Sequence, residues 1–237
     1  MAPSHDVIVV GLGGMGSAAL YHLARRGVRV LGLERFSIPH EMGSSHGDTR
    51  IIRLAYFEHP DYVPLLRRAY ELWDSLESET GETLLVRTGS IDASEVDGMI
   101  FEGSRRSCEL HGLPHEVLTP QEASSRFPGL RLPPQSMAVF QADGGFLIPE
   151  RCIVAHVAAA EGAGATVRTG ERVLGWHPAG SGGIRVDTDQ GSHHADRLVL
   201  TAGAWTGDLT GLQHVLAPER QVLLWVDPPR RADFAPS

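Results

Sequence analysis

A chain of 237 residues, 42% of them hydrophobic, can bury a sizeable core as one large or two small domains. Its formal charge of −8 argues against nucleic acid or an anionic membrane surface as a partner. Its two cysteines, Cys108 and Cys152, form no C-x-x-C pair, so neither a disulfide framework nor a zinc site is expected and a reducing compartment fits better.

The N-terminus MAPSHD leads straight into an apolar strand with no signal-peptide pattern, and no apolar run approaches bilayer length. A soluble, cytoplasmic α/β protein is therefore expected. Val7 to Val10 reads as the first strand. It turns through Gly11-Leu12-Gly13-Gly14-Met15-Gly16 into a helix ending at Gly27, and a second strand, Val28 to Leu33, delivers Glu34 at its tip. Gly11 permits the tight turn, Gly13 a close approach of pyrophosphate to backbone, and Gly16 close packing of helix on strand. The helix N-terminus, with its unpaired N–H groups and partial positive charge, faces the phosphates. Glu34 follows the last glycine at about the 20-residue spacing that brings a carboxylate to a ribose. It repels a 2′-phosphate, which disfavours NADP and leaves FAD and NAD open.

Beyond Glu34, the polar stretch from Ser37 to Asp48 suits a ligand-bearing loop. Asp61 to Thr80 reads as an amphipathic helix with Tyr62, Leu66, Ala69, Trp73 and Leu76 on one face and Gly81 ending it. Leu84 to Ala93 resembles a strand and Met99 to His111 a helix. Thr119-Pro120-Gln121-Glu122 is a capping box with proline at the first helical position, opening a short helix to Arg126. Ser136 to Gln141 reads as a strand, Asp143-Gly144-Gly145 as a turn, and Pro149 to Gly162 as an alanine-rich helix. Short strands are expected at 165–169, 172–176, 184–188 and 196–201, then a glycine turn at Ala202 to Trp205 and a helix. Pro218 to Val226 reads as one more strand.

The expected architecture is α/β: a Rossmann-like βαβ domain from residues 1–80 and 150–212, with an inserted α+β domain from 81–149 and 213–237. Among candidate side chains, one of Arg50 and Arg53 could hold a substrate carboxylate through a two-pronged hydrogen bond, or both could be surface arginines. Ile51-Ile52 and Leu54 make a buried strand plausible, and residue types leave both readings open. Of the twelve histidines, His46 in the glycine-serine loop stands out, whereas His193 and His194 read as a solvated turn. No spacing supports a metal site.

Two runs carry a resemblance. The opening D-V-I-V-V-G-x-G-x-M-G and the more specific Gly43-Ser44-Ser45-His46-Gly47-Asp48-Thr49-Arg50-Ile51-Ile52-Arg53 resemble the monomeric sarcosine oxidase and N-methyltryptophan oxidase family, within the FAD-dependent amine and D-amino-acid oxidases. Tyr62-Val63-Pro64-Leu65, Glu71-Leu72-Trp73, the Gly144 to Pro149 stretch, Gly203-Ala204-Trp205 and Arg220-Gln221 extend it over nearly the whole chain. The resemblance implies FAD, with its pyrophosphate at Gly11, Gly13, Gly14, Met15 and Gly16 and its ribose on Glu34, beside Arg35. It implies that Ser44, Ser45, His46, Thr49 and Arg50 line the flavin side, that Val173 and Gly203 meet the cofactor, and that Arg53 pairs with the substrate carboxylate. Arg50, Arg53 and His46 are then the catalytic candidates.

The implied reaction oxidises a secondary or N-methyl amino acid at its C–N bond to an imine, and O2 reoxidises the flavin with release of H2O2. Family members run well beyond Ser237, and the cysteine that attaches flavin and the lysine linked to oxygen activation lie in that portion. The expectation is therefore a C-terminally incomplete chain. Its alternative is an inactive FAD-binding remnant or half of a split enzyme whose second chain completes the sheet; an NAD-dependent dehydrogenase ranks below both.

Overall fold

The computed structural model describes residues 5–180 and 182–234. The chain opens with β1 (His5–Val10), α1 (Gly14–Ala24), β2 (Val30–Leu33) and β3 (Arg50–Ile52). There follow α2 (Tyr62–Thr80), β4 (Leu85–Arg87), β5 (Ser90–Glu95), α3 (Met99–His111), β6 (Glu116–Leu118), α4 (Pro120–Arg126), β7 (Ser136–Gln141) and β8 (Gly145–Leu147). The last run is α5 (Pro149–Gly162), β9 (Thr166–Arg168), β10 (Val173–Pro178), β11 (Ile184–Thr188), β12 (Gly191–Leu200) and α6 (Thr206–Thr210).

These elements form two compact units, Met1–Asp48 with Ile148–Leu223, and Thr49–Leu147 with Leu224–Ser237. The stretch 49–80, expected in the first domain, lies in the second unit. Arg50 to Ile52 pair with Leu147 to Gly145 on β8, and Val63 of α2 enters a core with Phe101, Cys108 and Leu113. Residues 213–223, expected in the second domain, stay with the first; they trail from α6 through hydrogen bonds from Leu212 N–H to the Gly207 carbonyl and from Leu216 N–H to that of Leu212.

The first unit is built on a six-stranded sheet in the order β10-β11-β12-β1-β2-β9. The four strands β12, β1, β2 and β9 run parallel, and β10 and β11 extend the sheet antiparallel. Parallel strands are covered on both faces, which explains the uninterrupted apolar runs: Ile8 and Val9 are fully buried, as are all four residues of β2. Strand β12 begins five residues earlier than its apolar core suggests. Gly191, at φ 148°, closes a tight turn, so Thr188 pairs with Gly191 and Val186 with His193. His193 and His194 are thus strand residues and not a solvated turn.

Helices α1 and α5 pack on each other, with the Tyr21 and His156 rings 5.4 Å apart. His156 is buried, and burial, aided by His22, lowers its pKa to about 4. The unfolded chain takes up that proton near pH 6.5, whereas the folded one resists it down to about 4, so this site's stabilisation is lost as pH falls through that window. At about 1.4 kcal/mol per pH unit, the loss approaches 3 kcal/mol. Urea melts of native chain and His156→Leu between pH 7 and 4 check it: the variant should show a visibly flatter acid limb.

The second unit holds two three-stranded antiparallel sheets, β3-β8-β4 and β5-β7-β6. The single strand expected over Leu84 to Ala93 is broken at Gly89, whose φ is 78° and where an added Cβ would sit 2.6 Å from the Phe140 ring. Helix α2 buries Leu76 and packs Trp73 against the core, as expected, but it also turns Val63 and Tyr70 inward and leaves Tyr62 46% exposed. The capping box at Thr119 and Glu122 forms as expected. The strand expected at Pro218 to Val226 does not form: no strand among the described residues pairs with it, and Leu224 and Val226 are more than 80% exposed. β-Branched composition alone does not supply ladder partners.

Candidate functional site

In the first unit, the carboxyl ends of β1, β2 and β12 open into a cleft of about 510 Å³. Chain direction diverges here, β2 lying on one side of β1 and β12 on the other, which is where open α/β sheets take ligands. Gly11, Gly13, Gly14, Met15, Glu34, Arg35, Ser44, Ser45, Val173 and Gly203 line the cleft. The N-terminus of α1 enters it without a capping side chain or a first-turn acid. Ser45 Oγ accepts the Gly14 N–H at 3.2 Å, so the loop delivers an acceptor oxygen to that helix end. Met15 leaves its side chain 79% exposed at the same place.

Two glycines of the turn are explained by the protein itself. Gly11 has φ 88°, and a Cβ there would lie 2.6 Å from the Thr201 carbonyl. A Cβ on Gly16 would lie 1.8 Å from the Gly11 carbonyl oxygen and 2.6 Å from Thr201 Oγ1. Gly13 is different. Its φ of −70° suits any residue, and a Cβ there would meet only Ser45 Oγ at 3.9 Å. Nothing in the chain needs glycine at this cleft-lining position, so the vacant side-chain volume fits a group held against the backbone. A pyrophosphate on a helix N-terminus has that requirement.

Glu34 is 5% exposed, its carboxylate fixed by the N–H groups of Leu12 at 2.8 Å and Phe36 at 3.0 Å. Glu171, which sequence reasoning missed, is a second buried acid on the cleft wall. Burial pushes its carboxyl up, but hydrogen bonds from His193 and Thr188 outweigh that and hold it below the usual range. Thr201 was missed as well: its hydroxyl bonds the carbonyls of Val10 at 3.0 Å and Gly11 at 2.8 Å, clamping the turn. A threonine ending the parallel strand beside β1 was the available signal.

Not every expected residue lines this cleft. Gly16 packs behind it, and His46 is half-buried in the same loop but absent from the lining. Thr49 and Arg50 open the second unit, where Arg50 Nη1 donates to the Thr49 carbonyl at 2.6 Å.

Arg53, also in the second unit, is not a surface arginine. Its side chain is 15% exposed, its Nε lies 3.2 Å from Asp92 Oδ2, and its guanidinium lies 4.8 Å from the Tyr56 ring centre and 5.6 Å from that of Phe57. The loop carrying it is pinned to α3. Ser104 Oγ donates to the Ala55 carbonyl at 3.1 Å, Ser107 Oγ to that of Tyr56 at 2.6 Å, and a Cβ on Gly103 would strike the Phe57 carbonyl at 2.2 Å. From β7, Gln141 Oε1 accepts the Ala55 N–H at 2.7 Å. Small residues on one helix face thus let a loop backbone lie against it, placing a buried cation among aromatic rings.

Among the described residues, no His, Cys, Asp and Glu cluster could hold a metal, and no helix is long and apolar enough to cross a membrane. The sequence profile of the FAD dependent oxidoreductase family matches residues 6–237. Monomeric sarcosine oxidase from Streptomyces avermitilis is 43% identical over 229 residues, covering 96% of this chain and 59% of the relative. N-methyl-L-tryptophan oxidase from Salmonella dublin is 35% identical over 221 residues, covering 93% of this chain and 59% of the relative. Among solved structures, NikD, described as an unusual amino acid oxidase essential for nikkomycin biosynthesis, matches with TM-score 0.79 and 33% identity over 89% of this chain and 54% of its own. The chain therefore spans somewhat over half the length of these relatives.

Proposed function

Because the chain belongs to the FAD dependent oxidoreductase family, we propose that it binds FAD in the first-unit cleft and takes part in oxidising the C–N bond of an N-methyl or secondary amino acid. The observation that carries the cofactor assignment is Gly13, whose missing side chain serves no need of the fold. Backbone N–H groups at Gly13 and Met15 would hold the pyrophosphate, with Gly14 N–H held by Ser45 Oγ beside it, and Glu34 would accept hydrogen bonds from a ribose. Arg35 and Gly203 flank the cofactor, and Val173 meets its adenine half. Ser44, Ser45 and His46, in the loop of the same unit, serve its flavin side. Bound flavin supplies the two-electron acceptor and its reoxidation by O2, with H2O2 as product.

Arg53 holds the substrate carboxylate, and a fixed guanidinium orients the amine-bearing carbon while the rings of Tyr56 and Phe57 exclude water from the ion pair. The relatives named for sarcosine and N-methyl-L-tryptophan support an amine substrate carrying a carboxylate. A cytoplasmic setting suits the two cysteines, which form no C-x-x-C pair. Anaerobic addition of sarcosine or N-methyltryptophan to FAD-loaded protein tests the reaction. Bleaching of the blue flavin band, abolished in Arg53→Met, is the expected result; a flavin that stays oxidised with both amines overturns the oxidation and leaves cofactor binding alone.

A further inference from the structure

We propose that Asp92 is a positioning residue for Arg53, turning the two terminal nitrogens of the guanidinium toward a ligand carboxylate by pairing with its Nε side. This role rests on Arg53 holding a carboxylate, as proposed above. A guanidinium offers an Nε side and a terminal fork, and a carboxylate is best gripped by two parallel N–H groups in one plane. In the second unit Asp92 Oδ2 lies 3.2 Å from Nε as an ion pair, outside hydrogen-bond geometry. Nε is sealed from solvent with no hydrogen-bond partner among the described residues, so the acid sits against this side of the guanidinium. Neither terminal nitrogen makes a hydrogen bond or ion pair with any described residue, and neither is among the sealed, unsatisfied atoms. The free end of the fork is the end still open to a ligand.

Asp92 is itself fixed. Ser104 Oγ lies 3.0 Å from the same Oδ2 and 3.1 Å from the Ala55 carbonyl, so one helix residue ties together the acid and the loop that carries the arginine. Asp92 stands on β5, in register with Val139 of β7, which keeps its backbone in a sheet. Tyr56 and Phe57 restrain the guanidinium plane by ring contact. Rotation about the last side-chain bonds is what the rings leave unrestrained, and the carboxylate on the Nε side removes it. Burial, with a smaller push from the like charge of Glu58, raises the Asp92 carboxyl above its usual range, while Arg53 and Ser104 favour its charged form.

The test is calorimetric binding of propionate to the full chain, with propionamide as the uncharged control. Arg53→Met should abolish the propionate signal. A native chain that takes up no propionate, or an Arg53→Met variant that binds it unchanged, overturns the assignment of Arg53 and with it that of Asp92. If Arg53→Met abolishes binding, the Asp92 variants decide the second step. Asp92→Leu, similar in size and without an acceptor, should weaken propionate at least about fivefold, because the fork is free to turn. Asp92→Asn, which keeps an oxygen for Nε and a partner for Ser104, should bind clearly better than Asp92→Leu. A leucine variant that binds within fivefold of native, or more tightly, shows that Asp92 only offsets charge and overturns the positioning role. An asparagine variant no better than leucine does the same. Should Asp92→Leu lose its cooperative melt, Asp92→Val, suited to a strand, replaces it with the same expected loss.

Discussion

Gly13→Val should leave the fold intact and abolish FAD uptake. Gly13 has backbone angles open to valine, and a Cβ there approaches the protein no closer than 3.9 Å. Valine is a poorer helix N-cap than glycine, which costs less than about 1 kcal/mol. Its two methyl groups, however, would fill the space over the α1 N-terminus where a pyrophosphate must touch backbone. Loss of those contacts should raise the Kd for FAD at least about a hundredfold, equivalent to about 2.7 kcal/mol. Visible absorption after gel filtration with excess FAD, alongside a thermal melt, checks both halves. A variant that retains flavin at native affinity removes the reason for glycine at this position.

The second large effect has the opposite signature. Gly16→Ala should destabilise the chain itself, since the new Cβ would lie 1.8 Å from the Gly11 carbonyl oxygen, a backbone atom with nowhere to go. Alanine gains about 1 kcal/mol over glycine inside a helix. Forcing α1 away from β1 costs up to about 3 kcal/mol or more and reverses that gain. A net loss near 2 kcal/mol, a fall of roughly 5 °C in Tm for a chain of this size, is expected in the absence of any cofactor. Equal melts for Gly16→Ala and native chain would show that helix and turn are not in the contact described. The two glycines, three residues apart, thus separate what the ligand needs from what the fold needs.

The nucleotide cleft was legible because its determinants are local. Apolar strands, three spaced glycines and a terminal acid lie within thirty residues, and each element appears where its own physics puts it. The helices from Met99 to His111 and Pro149 to Gly162 were readable for the same reason, with a glycine cap after one and a leading proline on the other. A three-residue strand such as β8 carries too little alternation to be seen, and it exists only by pairing with β3 and β4. Gly89 breaks a strand for the sake of Phe140, far along the chain. His193 belongs to a strand and meets buried Glu171, a pairing visible only once β12 lies against β11.

The site in the second unit was half legible. Arg53 stood out by its motif, but residue type could not distinguish a buried cation from a surface one, and that depended on Asp92, Tyr56 and Phe57. Gly103, Ser104 and Ser107 are unremarkable in a helix sequence, yet their small size on one face lets the Arg53 loop settle. Pro218 to Val226 shows the reverse case: a strand-like composition with no partner strand among the described residues.

The most direct measurement is the absorption spectrum of the purified chain after incubation with FAD and removal of free cofactor. Paired bands in the near-ultraviolet and the blue, at one flavin per chain and absent from Gly13→Val, are the expected result. A colourless native chain that takes up no FAD, yet binds NADH tightly by fluorescence, would contradict the assignment of this cleft to a flavin.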